Sequence, residues 1–316
     1  MNYGELSLIA AKERDTRSMK RNKKYSAEVI FGLGFLLASC SAALPAPDIA
    51  GGRYGSFNRN DFDLWKAPSA NPTPLVVYFH GGGFSSGSKE KISGALVSEL
   101  MRRGISVMTV NYRLTPDAVF PDHYRDCARS IQYARFHARE LNIDPDRIGA
   151  AGSSAGGCTA LWIGFHDDFA DPGNPDSVLQ MSTRLSAVAM YSGQSTLDPA
   201  VIKEWFGAIS LGHSFFNGTF FGLTPEETAS AHGEELFRQA SPATYLTSDD
   251  PPVWAYYSTP KTPPATVSEG VHHYKFGEYL KAKMDSAGVE CILLDNEFRS
   301  VTKNCVQFFS KQLLRQ

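Results

Sequence analysis

The stretch Gly152-Ser153-Ser154-Ala155-Gly156 constrains this chain more than any other. It follows a strand-like apolar segment, Arg147-Ile148-Gly149-Ala150-Ala151, and precedes a helix-like one from Gly157 to Phe165. The glycines of G-x-S-x-G let a strand reverse into a helix through a turn too tight for side chains. That turn lifts the Ser154 hydroxyl to the top of a sheet, at the N-terminus of the next helix. A serine so placed has the position of a nucleophile for an ester or amide carbonyl.

The rest of the chain supplies the sheet. Leu75 to Phe79 and Ile105 to Val110 are short apolar runs of buried-strand type. Further strands are expected over 147–152, 185–191, 253–257 and 291–294. Helices are expected over 94–103, 122–140, 271–287 and 301–314; Phe276, Leu280 and Met284 fall at i, i+4 and i+8, and Gly288 closes that helix. Alternation of this kind predicts an α/β fold with a mostly parallel sheet and helices on both faces. Residues 195–248 interrupt it, and their Phe, Gly, His and Trp content predicts a small helical cap insertion over the site. Residues 41–58, dominated by Ala, Pro and Gly without periodicity, read as a tether, with Cys40 at its head and the α/β domain over 59–316.

His80-Gly81-Gly82-Gly83-Phe84 directly follows the first strong strand. Glycines there let backbone N–H groups face a developing oxyanion unobstructed. A phosphate loop would need Gly-Lys-Ser/Thr, which is not present here. Together with Asn111-Tyr112-Arg113-Leu114, Gly152 to Gly157, and Ser241-Pro242 through Asp249-Asp250-Pro251-Pro252, the loop makes residues 60–315 resemble the α/β-hydrolase superfamily. The likeness is to its hormone-sensitive-lipase-like and feruloyl/acetyl-esterase-like branch. The resemblance implies an α/β-hydrolase fold, Ser154 as nucleophile, an oxyanion hole from the N–H groups of Gly82, Gly83 and Ala155, and a structural role for His80.

The family's order of Ser, then Asp or Glu, then His is not kept. After the strand at 253–257 comes Ser258-Thr259-Pro260-Lys261-Thr262-Pro263-Pro264, without a carboxylate; after the last strand comes Asp295 to Ser300, without a histidine. His272 and His273 are the candidate bases, with Glu269 just upstream as the candidate acid. His166 is twelve residues past Ser154 on one helix, about 18 Å away. His213 falls in the cap; His123, His137 and His232 read as surface helix positions. Asp198-Pro199 reads as a helix start, and Asp249 and Asp250 lie at the wrong end of a strand. No metal-ligand spacing appears, so neither metal nor cofactor is expected.

Lys20-Arg21-Asn22-Lys23-Lys24 followed by the apolar run Val29 to Ser39 reads as a signal segment over 1–39, too short to span a bilayer. Leu37-Ala38-Ser39-Cys40 resembles a bacterial lipobox, which implies export and a lipid anchor on Cys40 as the sole membrane attachment. Seven of 31 basic and four of 33 acidic residues fall in 1–39; the remaining 24 against 29 give a net charge of −5. A mildly acidic body without a basic stripe argues against nucleic-acid binding. Cys127, Cys158, Cys291 and Cys305 each lie in apolar segments and read as core thiols. Two functions follow: a serine esterase for short acyl esters, including carbohydrate esters, with a rearranged triad; or a hydrolase-fold protein that has lost catalysis and binds a ligand or partner. The partner in the first case is a small-molecule ester; no oligomeric state is implied.

Overall fold

A computed structural model of the chain describes residues 43–314. The expected signal segment over 1–39 and Cys40 lie outside the described residues.

Eight strands form one sheet: β1 (Ile49–Arg53), β2 (Asp61–Trp65), β3 (Thr73–Phe79), β4 (Ser106–Val110), β5 (Ile143–Ser153), β6 (Val188–Tyr191), β7 (Val253–Tyr256) and β8 (Cys291–Leu294). Their order is β1-β2-β4-β3-β5-β6-β7-β8. The pairs β1/β2 and β2/β4 are antiparallel, and every pair from β4 to β8 is parallel. The helices are α1 (Gly94–Arg102), α2 (Asp122–Phe136), α3 (Ala138–Leu141), α4 (Ala155–Phe165), α5 (Pro199–Phe206), α6 (Pro225–Thr228), α7 (Ala231–Ala240), α8 (Val267–Val271), α9 (Lys275–Ala287) and α10 (Val301–Leu313).

All seven residues of β3 are buried, as a central parallel strand covered on both faces must be. Alternate side chains feed opposite cores. Leu75, Val77 and Phe79 join the larger core with α2 and α4. Val76 and Tyr78 join the smaller one with Leu96 and Leu100 of α1 and Phe309 and Leu313 of α10. Helix α4 is buried along its whole length, which explains why its sequence is apolar on every side. The four described cysteines are buried free thiols.

Several boundaries differ from the sequence expectation: β5 begins four residues earlier than expected, at Ile143, and β6 three residues later, at Val188. Part of the expected tether is a strand: β1 pairs with β2, and the Trp65 indole N–H donates to the Pro45 carbonyl at 2.8 Å. An edge strand with no fully buried position and two glycines carries no hydrophobic pattern to read. The helix expected over 122–140 breaks at His137 into α2 and α3. The one expected over 271–287 begins only at Lys275, and a separate short helix, α8, precedes it. Between β6 and β7 the chain forms α5, three 3₁₀ turns over 210–221, α6, α7 and a further turn at 242–244. No helix among the described residues is long and apolar enough to cross a membrane.

Candidate active site

Ser154 joins β5 to α4 with φ 49° and ψ −121°, backbone angles that cost a residue with a Cβ on the order of 1–3 kcal/mol. The turn is held on both sides. The Ser154 N–H donates to the Tyr191 carbonyl at 2.8 Å, and its carbonyl accepts from Cys158 N–H at 2.9 Å. Gly156 lets α4 begin directly against β3, since a Cβ there would lie 2.1 Å from the Phe79 carbonyl oxygen.

The Ser154 Oγ lies 2.7 Å from Nε2 of His272. The other ring nitrogen, Nδ1, is 2.8 Å from the Ser268 carbonyl oxygen. A carbonyl only accepts, so Nδ1 carries the proton and Nε2 presents its lone pair to the serine hydroxyl. Burial lowers the imidazole pKa below its ordinary value, and the bond to Ser268 opposes this only in part. The ring is therefore neutral near pH 7.

His272 immediately follows α8, and three contacts fix that helix. The Thr266 side chain accepts from Glu269 N–H at its start. Gln194, fully buried in the loop after β6, donates through Nε2 to the Val271 carbonyl at 2.5 Å. Ser210 of the insertion abuts Gly270, where a Cβ would meet its Oγ at 2.1 Å.

His273 points elsewhere. Its Nε2–H donates to the Thr262 carbonyl at 3.0 Å, its Nδ1 accepts from Lys275 N–H at 3.0 Å, and its ring packs on Phe206. The two histidines diverge because the chain leaves helical register between α8 and α9. Glu269 is not brought to either imidazole; its carboxylate accepts from Ala265 N–H at 2.7 Å, at the N-terminal end of α8. The structure thus corrects the expectation that Glu269 supplies an acid and His273 an equivalent base. The place of the acid's oxygen is taken by the backbone carbonyl of Ser268.

The loop 80–83 runs beside the serine: a Cβ on Gly81 would lie 3.3 Å from Ser154 Cβ. Gly82 (φ 123°) and Gly83 (φ 60°) turn the backbone, and the Gly82 carbonyl accepts from Ser85 and Ser86 N–H at 3.1 and 3.0 Å. The N–H groups of Gly82, Gly83 and Ala155 donate to no acceptor among the described residues. His80 anchors the loop. Its Nδ1–H donates to the Gly81 carbonyl at 2.7 Å, and its ring stacks on Tyr112 at 4.3 Å. The Tyr112 hydroxyl donates to the His80 carbonyl at 2.7 Å. Burial, opposed by the bond to Gly81 and aided by Arg59, brings the His80 pKa down to about 4. Arg59 also donates to the carbonyls of Tyr112 and Gly87; nothing in the sequence around it announces that role.

A cleft of about 390 Å³ opens over the serine, lined by Ser153, Ser154, Tyr191, Ser192, Ser258, Thr259, Ser268, Glu269 and His272. The loops after β7 and β8 are joined by an ion pair, Lys261 to Asp295 at 2.6 Å. Asp198 caps α5, accepting from Ala200 N–H at 2.8 Å. Gln194 and the Ser268 carbonyl escaped the sequence reading. Thr266-Val267-Ser268-Glu269 is a T-x-x-E helix start, which would have revealed α8.

A family model described as BD-FAE matches residues 62–260. Among curated proteins, the chain is 25% identical over 213 residues to a probable carboxylic ester hydrolase, LipM, of Mycobacterium tuberculosis, covering 66% of this chain and 46% of that protein. It is 33% identical over 114 residues to the esterase LipI of the same organism, covering 36% and 35%. The chain thus spans about half the length, or less, of these curated relatives. Among solved structures, a truncated carbohydrate esterase from gut microbiota superposes with a TM-score of 0.67 at 17% identity, over 87% of this chain and 99% of that one. An esterase from Thermogutta terrifontis superposes with a TM-score of 0.60 at 20% identity, over 86% and 94%. At these identities the structural likeness is one of fold, and the fold is the α/β-hydrolase fold.

Proposed function

The chain belongs to the BD-FAE family, and from that premise we propose that it is a serine-type carboxylic ester hydrolase working through a Ser154–His272 dyad. The single observation that carries this reading is the 2.7 Å contact between Ser154 Oγ and a His272 Nε2 whose tautomer is that of a base. In the proposed reaction Nε2 takes the hydroxyl proton as Oγ bonds to the ester carbonyl carbon. The resulting oxyanion accepts from the N–H groups of Gly82, Gly83 and Ala155, which have no other acceptor among the described residues. Collapse breaks the bond to the alcohol, which leaves with the proton from Nε2. Water then attacks the acyl-serine, giving its proton to Nε2, and the acid departs as Ser154 regains its hydrogen.

The Ser268 carbonyl does half of what a carboxylate does. It fixes ring orientation and tautomer, but it brings no negative charge to stabilise the imidazolium. Loss of the acid from a complete triad costs on the order of 10⁴ in turnover, part of which reflects a wrong tautomer that this arrangement avoids. Activity below that of full triads is expected. Short acyl esters, including carbohydrate esters, are the proposed substrates; the residues that line the cleft include neither Lys nor Arg, which suits an uncharged alcohol. Export with a lipid on Cys40 is part of the reading and rests on residues 20–40 alone; the mass of the mature N-terminal peptide tests it.

A second reading, a binding protein on the same fold, is favoured by the absence, among the described residues, of a carboxylate partner for the imidazole. A fluorophosphonate probe separates the two. Labelling of the wild type at Ser154, lost in Ser154→Ala and in His272→Ala, supports the hydrolase. A wild type that resists labelling and turns over p-nitrophenyl acetate no faster than Ser154→Ala supports the binding protein.

A further inference from the structure

The insertion between β6 and β7 places one imidazole against the oxyanion loop. A Cβ on Gly83 would lie 3.2 Å from Cε1 of His213 and 3.6 Å from its Nε2. That ring edge therefore touches the glycine whose N–H is free. The tautomer is set locally: Nδ1 accepts from Phe215 N–H at 3.3 Å, so the proton resides on Nε2. Nε2 has no hydrogen-bond partner among the described residues. Phe215 packs on the ring at 4.1 Å between centroids, and Phe84 packs on Phe215 at 5.6 Å. The imidazole is thus held by an apolar wall with its one N–H unused. Burial, and to a lesser degree the neighbouring His272, lower its pKa. It is a neutral donor when His272 carries the proton in the acylation step. A neutral imidazole N–H is a known type of electrophile toward a developing oxyanion.

We propose that His213 is a further catalytic residue, whose Nε2–H donates to the substrate beside the N–H groups of Gly82 and Gly83 and so extends the oxyanion hole from the insertion. This rests on the serine-hydrolase reading. It accounts for a histidine held in this tautomer against loop 80–83, where a donor is useful. It also offsets in part what a dyad without a carboxylate lacks, which is charge stabilisation of the imidazolium, by stabilising instead the anionic half of the ion pair formed when His272 takes the serine proton.

The test uses the full chain, p-nitrophenyl acetate and the fluorophosphonate probe. His213→Leu removes the donor while keeping apolar bulk; His213→Gln keeps an N–H at similar reach. The expected result is a fall in kcat of about 10²-fold in His213→Leu, the scale of losing one oxyanion donor. KM should move little, the labelling rate at Ser154 should fall in parallel, and His213→Gln should recover most of both. Two results overturn the proposal: kcat in His213→Leu within about twofold of wild type, or equal losses in the two variants, which would mark a packing role. Ser154-dependent turnover in the wild type keeps either failure separate from failure of the hydrolase reading. Its absence overturns both.

Discussion

At the scale of single residues, the proposed chemistry divides two adjacent histidines that the sequence presents as equals. His272→Ala should lower kcat by roughly 10³-fold or more, because a serine hydroxyl without a base is a weak nucleophile at neutral pH. His273→Gln, which keeps the donor to the Thr262 carbonyl, should stay within a few-fold of wild type; p-nitrophenyl acetate kinetics on both variants decide it. The pH profile carries a second signature. Since burial lowers the His272 pKa, the base is lost only when pH falls below the ordinary imidazole value of about 6.5. kcat/KM should therefore rise with pH along a single limb centred below that value. A limb centred above it would mean that a charge not seen here supports the imidazolium. Ser154 and its loop were legible because the elbow and the glycine run are steric necessities written in residue type. The partner of His272 was not, because a backbone carbonyl leaves no trace in side-chain chemistry.

At the scale of elements, the proposed base is delivered by α8, five residues that would be marginal as an isolated helix. Its precision comes from neighbours: the loop after β6 through Gln194, and the insertion through Ser210 against Gly270. Gln194→Leu should lower kcat by about 10–100-fold with little change in KM, since small displacements of a catalytic group have effects of that order. Gln194→Glu gives a sharper reading. A protonated carboxyl can donate to the Val271 carbonyl, whereas a carboxylate would repel it. The variant should lose activity as pH rises through the range where wild type gains it; a profile parallel to wild type would remove Gln194 from the positioning of His272. The same element shows where sequence patterns stop. Strands β3, β4, β6, β7 and the second half of β5 announce themselves as apolar runs because both of their faces are covered. β1 does not, having little to bury. The helical period of Phe276, Leu280 and Met284 is real, but it was extended four residues too far, across the break that turns His272 toward the serine.

At the scale of the whole molecule, two buried histidines outside the proposed dyad couple the fold to pH. His80 and His123 are both fully buried, and both pKa values are lowered to about 4, chiefly by burial. His123 reads as a surface helix position in the sequence. In the fold, the first turn of α2 carries it inward between Phe84 and Phe220, each 5.2 Å from its ring, with Nε2 on the Thr115 hydroxyl. The charged neighbours act in opposite senses: Asp126 raises its pKa and Arg113 lowers it. In the unfolded chain each imidazole would protonate near pH 6.5. Between about 6.5 and about 4, then, the unfolded state binds protons that the folded state refuses. Stability is complete above 6.5 and is lost as pH falls through this window, by on the order of 3 kcal/mol for each ring at its lower end. Melting temperature should drop by several degrees per ring between pH 7.5 and 4.5. His123→Phe keeps the aromatic packing and removes one titration, so its drop should be smaller than that of wild type. An equal drop in the two proteins would mean that His123 does not carry the linkage, and that the acid sensitivity of the fold lies in His80 and the carboxylates.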